Sequence, residues 1–315
     1  MKRICITGGA GFIGRHVVRA ALERGWLVTS LDLVDYPDEH HKHHTHIVGD
    51  VRDRTAVEKA LQNGDAMVHL AAEISVQASI EKPEQTHAVN VEGTDVVLSV
   101  CQEMGTELVL HASSAAVYGD LEDIPLKETA PLEPLSPYGL SKKMNEEAVR
   151  NARERGLNAF SFRFFNVYGP GQSAGGAYSA VIPLFIQRMC RGEQPVVYGD
   201  GSTTRDFVHV GDVASALLDT IEHEAEGMNH AVYNVASGKE TSLLELVEHI
   251  HKALPGRLTQ GQPAVPLHRP VRENDVFRSL ASIERLTADL DWLPSHDLAS
   301  AVHAMVKTEL EGASR

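Results

Sequence analysis

Short apolar runs alternate with longer amphipathic stretches along the first 170 residues of the chain. The apolar runs are five to eight residues long and rich in branched and aromatic side chains, which is typical of buried strands. They cover residues 2–7, 26–32, 46–50, 66–71, 107–113 and 159–166, with helical patterns at 14–24, 55–62, 91–104 and 139–155. Strands that alternate with helices predict a parallel sheet covered on both faces, and right-handed crossovers then give a doubly wound α/β fold.

The pattern changes after Pro170, where a Gly/Ser/Ala loop at 172–180 and a proline-containing stretch at 254–270 interrupt it. Helices are predicted at 182–192, 212–223, 282–290 and 297–311, and one more strand at 231–237. We therefore expect a large domain over 1–170, to which 206–237 returns, and a smaller ligand-binding region formed by 171–205 and 238–315.

Composition excludes several classes of protein. The 315 residues are 43% hydrophobic, ample for a core, but no apolar run reaches the 18 residues of a membrane span and the N-terminus does not resemble a signal peptide. Three scattered cysteines, Cys5, Cys101 and Cys190, indicate buried thiols in a reducing, cytoplasmic setting. The net charge of −14 without a basic run argues against a nucleic-acid partner. An anionic ligand would have to be met by a few arginines gathered at one place.

Residues 40–46, HHKHHTH, contain five histidines in seven positions. Histidine is a common metal ligand, but the cluster lacks the carboxylate spacing of a built metal site. We interpret it as a solvated loop after the second strand and expect no metal.

A glycine-rich turn follows the first predicted strand. In TGGAGFIG, residues 7–14, the glycines Gly8, Gly11 and Gly14 allow a tight turn and let backbone N–H groups approach a pyrophosphate at a helix N-terminus. Asp32 ends the next strand, where a carboxylate accepts hydrogen bonds from a ribose diol and repels a 2′-phosphate. Together they predict a Rossmann domain that binds NAD rather than NADP.

Three further residues form a candidate catalytic group. Tyr138 and Lys142 lie one helical turn apart in SPYGLSK, so their side chains share a face. A nearby ammonium and an oxidised nicotinamide both favour the phenolate, which makes Tyr138 a candidate base. Ser114 ends another strand at the carboxyl edge of the sheet, where doubly wound folds bind ligands.

The motifs together carry a resemblance. In order along the chain they are TGGAGFIG, the Asp32 strand end, GDVRD (49–53), HLAA (69–72), NVEGT (90–94), SSAAVYG (113–119), SPYGLSK (136–142), RFFNVYGPG (163–171), GDGSTTRDFVHVGDVA (199–214) and RENDVFRS (272–279). The chain resembles the extended short-chain dehydrogenase/reductase family, and within it the UDP-glucose and UDP-N-acetylglucosamine 4-epimerases.

The resemblance implies a role for each matching residue. It makes Ser114, Tyr138 and Lys142 the catalytic triad. The implied NAD contacts are Gly8, Gly11, Phe12, Ile13, Gly14, Asp32, Asp50, Val51, Leu70, Ala71, Ala72, Tyr138 and Lys142. The implied contacts to a nucleotide sugar are Val76, Ser114, Asn166, Val181, Val196, Tyr198, Arg205, Arg272, Asp275 and Ser279. Arg205 and Arg272 supply the arginine concentration that an acidic diphosphate binder requires.

The residues after Ser114 bear on which reaction is expected. Related 4,6-dehydratases carry an acidic pair there and uronate decarboxylases a glutamate, whereas this chain has Ala115 and Ala116. Uronate 4-epimerases carry an arginine where this chain has Gly171. We therefore expect C4 epimerisation of an uncharged UDP-sugar through a transient 4-keto sugar. The alternatives are another NAD-dependent nucleotide-sugar enzyme, namely a 4-ketoreductase, dehydratase or uronate epimerase, and a non-catalytic dinucleotide sensor.

Two finer expectations concern pocket size and assembly. Ser279 stands where strict glucose/galactose enzymes carry a tyrosine, so the resemblance implies room for an N-acetyl group, unless another side chain fills the gap. Family members dimerise through two helices, here those after Val91 and Gly139. The stripe Val96, Val97, Val100 and Met104 is the candidate homodimer surface, or else it faces the sheet.

Overall fold

The computed structural model describes residues 1–62, 64–175, 180–259, 264–271 and 276–312. Strands and helices alternate through the first part of the chain, as the apolar pattern predicts. The strands are β1 (Arg3–Thr7), β2 (Leu27–Asp32), β3 (His44–Val48), β4 (Ala66–His69), β5 (Leu108–Ser114) and β6 (Ala159–Phe164). The helices are α1 (Phe12–Glu23), α2 (Arg54–Leu61), α3 (Val76–Glu81), α4 (Pro83–His87), α5 (Gly93–Met104) and α6 (Pro137–Glu154).

The remaining elements are shorter. The strands are β7 (Asn166–Tyr168), β8 (Val196–Tyr198), β9 (Thr204–His209), β10 (Val232–Val235), β11 (Glu240–Ser242) and β12 (Leu267–Arg269). The helices are α7 (Val181–Cys190), α8 (Val210–Glu222), α9 (Leu243–Ala253), α10 (Gly256–Thr259), α11 (Glu284–Leu290) and α12 (Leu298–Gly312). A π-helical turn, Ala88–Glu92, leads into α5, and a 3-10 turn, Ala115–Val117, follows β5.

Within the described residues, seven parallel strands form the central sheet in the order β3-β2-β1-β4-β5-β6-β10. Thr7, at the end of β1, lies beside Leu31 of β2 and His69 of β4. The strand order reverses at β1, which places the crevice for a ligand at the carboxyl ends of β1 and β4. The doubly wound fold predicted from the sequence is confirmed.

Helices cover both faces of this sheet. One buried apolar cluster joins the sheet to α1 and α8, and a second joins it to α2, α5 and α6. Cys5 and Cys101 are buried in the second cluster, as expected, whereas Cys190 is only half-buried. No helix among the described ranges is long and apolar enough to cross a membrane.

The smaller part of the molecule is assembled from short strands. β7 and β9 run parallel and β11 pairs antiparallel with β9, while β8 and β12 form a separate parallel pair. A third apolar cluster packs α7, α9 and α12 together. The predicted strand 159–166 is therefore divided: β6 ends at Phe164 and β7, which begins at Asn166, belongs to a different sheet. Phe165 marks the division by donating its N–H to the Val235 carbonyl.

Only the first part of the histidine-rich segment, residues 40–43, is the loop that its composition suggests. β3 begins at His44, which is buried, and His46 follows in the same strand. The Ser30 hydroxyl hydrogen-bonds both imidazoles at 2.8 Å, and the Tyr36 ring packs edge-on against His44 at 4.4 Å between centroids. β3 pairs with β2 in a register that places Ser30 opposite His46, and His44 and His46 point to the same face of the strand.

The apolar stripe on α5 also faces inward. Val97 and Val100 are fully buried against the sheet and Val96 packs on the same cluster, which leaves only Met104 of the four substantially exposed. The stripe is therefore core, and the expectation that it forms a subunit interface is wrong. The outer surface of α6 instead exposes Leu140 and Met144, one turn apart, by 50% and 37%.

Candidate active site

The glycine turn fits between β1 and α1 because side chains are absent at two of its positions. Gly8 has φ +71°, and a Cβ there would stand 2.7 Å from the amide nitrogen of Ala71. A Cβ on Gly14 would stand 2.0 Å from the Gly8 carbonyl oxygen. Gly11 caps α1, and its N–H donates to that same carbonyl. The backbone can therefore approach a pyrophosphate at the start of α1, where unpaired N–H groups favour an anion.

Asp32 ends β2 beside this turn. One of its carboxylate oxygens accepts the N–H of Ala10 at 3.0 Å, which fixes the side chain against the glycine loop. Asp50 follows β3 and is held by Arg52, whose hydrogen bonds lower the pKa of that carboxyl group. Val51, next to it, is buried.

The other predicted cofactor contacts surround the crevice. Phe12 and Ile13 form the first turn of α1, and the Phe12 ring packs edge-on against His16. Leu70, Ala71 and Ala72 follow β4 directly. The Ala71 N–H donates to the Thr7 hydroxyl at 3.3 Å, so the ends of β1 and β4 are tied together where the strand order reverses.

The three candidate catalytic residues lie together at the carboxyl end of β5. Ser136 caps α6 by accepting the Gly139 N–H, and Pro137 occupies the first turn, so the local sequence starts the helix just before Tyr138. The Ser114 hydroxyl hydrogen-bonds the Tyr138 hydroxyl and also accepts the Ala116 N–H at 3.2 Å. One turn further, the Lys142 ammonium donates to the Ala112 carbonyl at 2.7 Å.

Burial dominates the electrostatics of this group. Burial raises the pKa of Tyr138, and the hydrogen bond with Ser114 opposes this rise. Burial also lowers the pKa of Lys142, the carboxylate of Glu146 opposes this fall, and the resulting pKa is about 8. The lysine therefore stays charged at neutral pH. A phenolate at Tyr138 requires positive charge nearby, which Lys142 supplies and an oxidised nicotinamide would add to.

A buried hydrogen-bond chain that the sequence reasoning missed supports the crevice. Asn90 accepts the Glu73 N–H, donates to the Glu73 carbonyl, and donates to Ser141, whose hydroxyl donates to the Tyr138 carbonyl. It thereby links the segment after β4 to the first turn of α6. The NVEGT motif contains this asparagine, but nothing in its local pattern indicates the partners, which lie 17 and 51 residues away.

Four of the ten predicted nucleotide-sugar contacts lie on the smaller sheets. Asn166 begins β7, Val196 and Tyr198 begin and end β8, and Arg205 lies in β9 with a hydrogen bond to the Thr204 carbonyl. Val181 is the first residue of α7, and Val76, the first of α3, is largely exposed. Arg272 and Asp275 lie outside the described residues.

Ser279 lies on a segment that is fixed at several points. The segment, residues 276–282, is anchored where the Phe277 N–H donates to Asp120 and where the Leu280 carbonyl accepts the Leu126 N–H. Arg278 forms a two-pronged ion pair with Glu240 of β11. Ser279 itself is 6% exposed. The small side chain therefore occupies a buried position whose backbone has little freedom to retreat.

Comparison with known proteins places this geometry in context. Residues 4–236 match the NAD dependent epimerase/dehydratase family. A putative UDP-glucose 4-epimerase from Methanocaldococcus jannaschii is 34% identical over 308 residues, which covers 96% of this chain and 97% of the relative.

Two solved structures are similar over nearly their whole length. The UDP-N-acetylglucosamine 4-epimerase from Methanobrevibacter ruminantium, in complex with UDP-N-acetylmuramic acid, superposes with a TM-score of 0.89 at 32% identity, covering 100% of this chain and 99% of that one. The Thermus thermophilus UDP-glucose 4-epimerase in complex with NAD gives a TM-score of 0.85 at 31% identity, covering 99% of both chains.

Proposed function

This chain belongs to the NAD dependent epimerase/dehydratase family, and on that basis we propose that it interconverts the C4 epimers of a UDP-hexose or UDP-N-acetylhexosamine through a transient 4-keto sugar. The observation that carries the proposal is the contact of Ser114 with Tyr138 one turn from Lys142, at the end of β5 and near the glycine turn. Its relatives and structural neighbours include UDP-sugar 4-epimerases with NAD or a UDP-sugar bound.

The described residues fit NAD as the cofactor. The contacts that forbid a Cβ at Gly8 and Gly14 leave the backbone of the turn accessible at the start of α1, and Asp32 offers a carboxylate to a ribose. Bound NAD would take up the C4 hydride and return it to the other face of the sugar. The remaining step is transfer of the proton of the sugar 4-hydroxyl, which protein side chains can accept and return.

In this proposal Tyr138 removes the proton of the sugar 4-hydroxyl. Ser114 hydrogen-bonds the same phenol and can hold the sugar oxygen beside it, while Lys142 provides the charge that favours phenolate. When the 4-keto sugar is reduced, Tyr138 returns the proton to the oxygen at C4. The sugar turns about its diphosphate link between the two steps, so one set of side chains serves both faces.

The residues around Ser114 favour this reaction over elimination. Ala115 and Ala116 form the 3-10 turn after β5 and offer no acid to a leaving hydroxyl. We assign the NAD site to 1–170 with 206–237, and the nucleotide-sugar site to 171–205 with 238–315. The test is turnover of UDP-galactose or UDP-N-acetylgalactosamine by the purified protein, and by Tyr138→Phe. We expect the variant to keep NAD and lose about a hundredfold or more in kcat. Near wild-type epimerisation by the variant would refute the role of Tyr138.

For the substrate, we propose that N-acetylhexosamines are accepted. A phenol at the buried Ser279 would need room that a serine does not, and the hydrogen bond from the Phe277 N–H to Asp120 holds the nearby backbone in place. Ser279→Tyr should lower kcat/KM for UDP-N-acetylglucosamine about tenfold relative to UDP-glucose, from an overpacking cost of about 1–3 kcal/mol. An unchanged ratio between the two substrates would show that Ser279 does not set the pocket.

We further propose a homodimer that uses the outer face of α6 rather than the α5 stripe. Leu140 and Met144 are exposed apolar side chains one turn apart on that face, where a monomer would leave them in water. Light scattering at micromolar concentration should give twice the mass of the chain. Leu140→Asp/Met144→Asp should give monomers, whereas the same change at Leu293, exposed on a loop, should not.

A further inference from the structure

Three consecutive residues of β5 hold three residues of α6 that are spaced one turn apart. The Ser114 hydroxyl hydrogen-bonds the Tyr138 phenol, and the Ala112 carbonyl accepts a hydrogen bond from the Lys142 ammonium. The Ser113 hydroxyl donates to the Glu146 carboxylate at 2.6 Å. The first two α6 residues belong to the candidate catalytic group. The third, Glu146, has no part in the reaction proposed above, although it is fixed by the same strand.

Glu146 is a buried charge with a fixed partner. Both nitrogens on one edge of the Arg163 guanidinium bind its two oxygens, at 2.8 and 2.7 Å, and the two side chains are 1% and 3% exposed. Arg163 is held in turn by the Tyr118 hydroxyl and the Glu128 carbonyl. Burying such a pair is costly, and apolar side chains of the same volume often stabilise a core equally well. Stability alone therefore gives a poor account of it.

Lys142 faces several other titratable groups in the same layer. His69 of β4 and His111 of β5 are buried beside it, and burial together with the charge of Lys142 lowers the pKa of both imidazoles, so both are neutral. Tyr138 lies one turn before Lys142, and Arg163 lies behind Glu146. Of these neighbours, Glu146 is the one whose negative charge opposes the loss of the lysine proton.

We propose that Glu146 is a positioning residue of the active site, whose buried carboxylate, fixed by Arg163 and Ser113, keeps the Lys142 ammonium charged and seated on the Ala112 carbonyl. The inference rests on the proposed function, because it concerns the charge that Tyr138 needs to form a phenolate. In a weakly screened interior a carboxylate one helical turn away acts on an ammonium without touching it. The ion pair with Arg163 then serves to keep that carboxylate in place.

The experiment is a titration of Lys142 in the whole protein. Lysine labelled with ¹³C at Cε reports the midpoint by NMR, and the signal of Lys142 is assigned from its loss in Lys142→Met. We expect Glu146→Gln to lower that midpoint by about one pH unit, and to move the alkaline decline of kcat by the same amount. An unmoved midpoint in a folded variant overturns the proposal.

Two further variants guard the interpretation. Glu146→Gln leaves Arg163 unpaired, so Glu146→Gln/Arg163→Gln is titrated as well and should show the same shift. A shift in the single variant alone would assign the effect to the stranded guanidinium and overturn the proposal. Glu128→Gln is the matched control, because it also neutralises a buried carboxylate that faces an arginine, Arg285. An equal shift in that control would overturn the proposal too.

The two readouts separate this inference from the proposed function. The NMR midpoint needs neither substrate nor turnover, so it tests Glu146 even if UDP-sugars are not epimerised. Failure of the wild-type protein to epimerise any UDP-sugar would contradict the proposed function and leave the midpoint test standing. If the wild-type protein turns over a UDP-sugar but the Lys142 midpoint is unmoved in Glu146→Gln and in Glu146→Gln/Arg163→Gln, only the inference about Glu146 is contradicted.

Discussion

The two sides of the crevice are built in different ways. The proposed cofactor side, formed by the glycine turn and the ends of β1, β4 and β5, relies on the backbone: Gly8 and Gly14 leave no room for a Cβ, and the strands pair in parallel within one seven-stranded sheet. The proposed substrate side combines the segment 276–282 with the small sheet of β7, β9 and β11, whose strands are three to six residues long. Side chains hold its pieces together.

Asp206 shows how the substrate side is held. This fully buried carboxylate in β9 accepts the N–H groups of Ser237, Gly238 and Ala281 and the Ser237 hydroxyl, so it joins three separate stretches of chain. On the proposed cofactor side, backbone pairing connects the neighbouring strands, and side chains such as Asn90 add links between segments. We therefore expect that a change in one side chain can disturb the proposed substrate side while the cofactor side is kept.

The largest expected effect comes from adding one methyl group to the cofactor side. Gly14→Ala would place a Cβ 2.0 Å from the Gly8 carbonyl oxygen, so the turn must open. We expect NAD affinity to fall about a hundredfold or more, equivalent to ~2.7 kcal/mol, in direct titration of the purified protein. Gly256→Ala, where nothing lies within 4 Å of the new Cβ, is the control and should bind NAD normally. Normal NAD binding by Gly14→Ala would mean that the turn is not the cradle.

A comparable change on the substrate side should separate the two regions. Asp206→Asn replaces an acceptor with a donor that faces other donors, at a cost of about 1–3 kcal/mol in the free energy of unfolding. We expect a several-fold rise in KM for the UDP-sugar with NAD affinity kept within twofold. Asp219→Asn, which removes a half-exposed carboxylate paired with Arg24, serves as the control. If NAD affinity fell as far as sugar affinity, the two sides would not be separable.

Cofactor choice should depend on a single side chain. Asp32 is fixed by the Ala10 N–H beside the glycine turn, and its charge would repel a 2′-phosphate. We expect NADP to bind at least tenfold more weakly than NAD, about 1.4 kcal/mol, and Asp32→Ser to narrow that gap. Tighter binding of NADP by the wild-type protein in the same titration would refute the assignment of Asp32.

The smallest expected effect is on stability at low pH, and it involves His44 in β3, the edge strand of the central sheet. Burial, reinforced by neighbouring histidines, lowers the pKa of His44 from 6.5 to about 4. The unfolded chain therefore binds a proton that the folded chain refuses, and stability falls as the pH drops from about 6.5 to about 4. His44→Gln should reduce this loss of stability in acid. The drop in Tm between pH 7 and pH 5 should be smaller in the variant than in the wild-type protein by roughly 2 °C. His303→Gln, at an exposed position of α12, should leave the pH dependence unchanged.

The sequence alone determined the features that depend on local spacing. Alternating apolar runs and amphipathic helices indicated the doubly wound sheet, because period and length are properties of neighbouring residues. The glycine spacing, the Asp32 strand end and the one-turn separation of Tyr138 and Lys142 are local in the same sense. The resemblance carried by these motifs indicated the family, and the family match over residues 4–236 confirms it.

Only the tertiary structure decided the contacts that join distant parts of the chain. Strand alternation could not show that His44 and His46 pair against Ser30, that Phe165 divides one predicted strand between two sheets, or that the α5 stripe is core. Strands of three residues are too short to show a period, and the partners of Asn90, Glu146 and Asp206 lie 17 to 75 residues away. Such contacts form because folding leaves buried polar groups to be satisfied, and which groups meet depends on how whole elements pack.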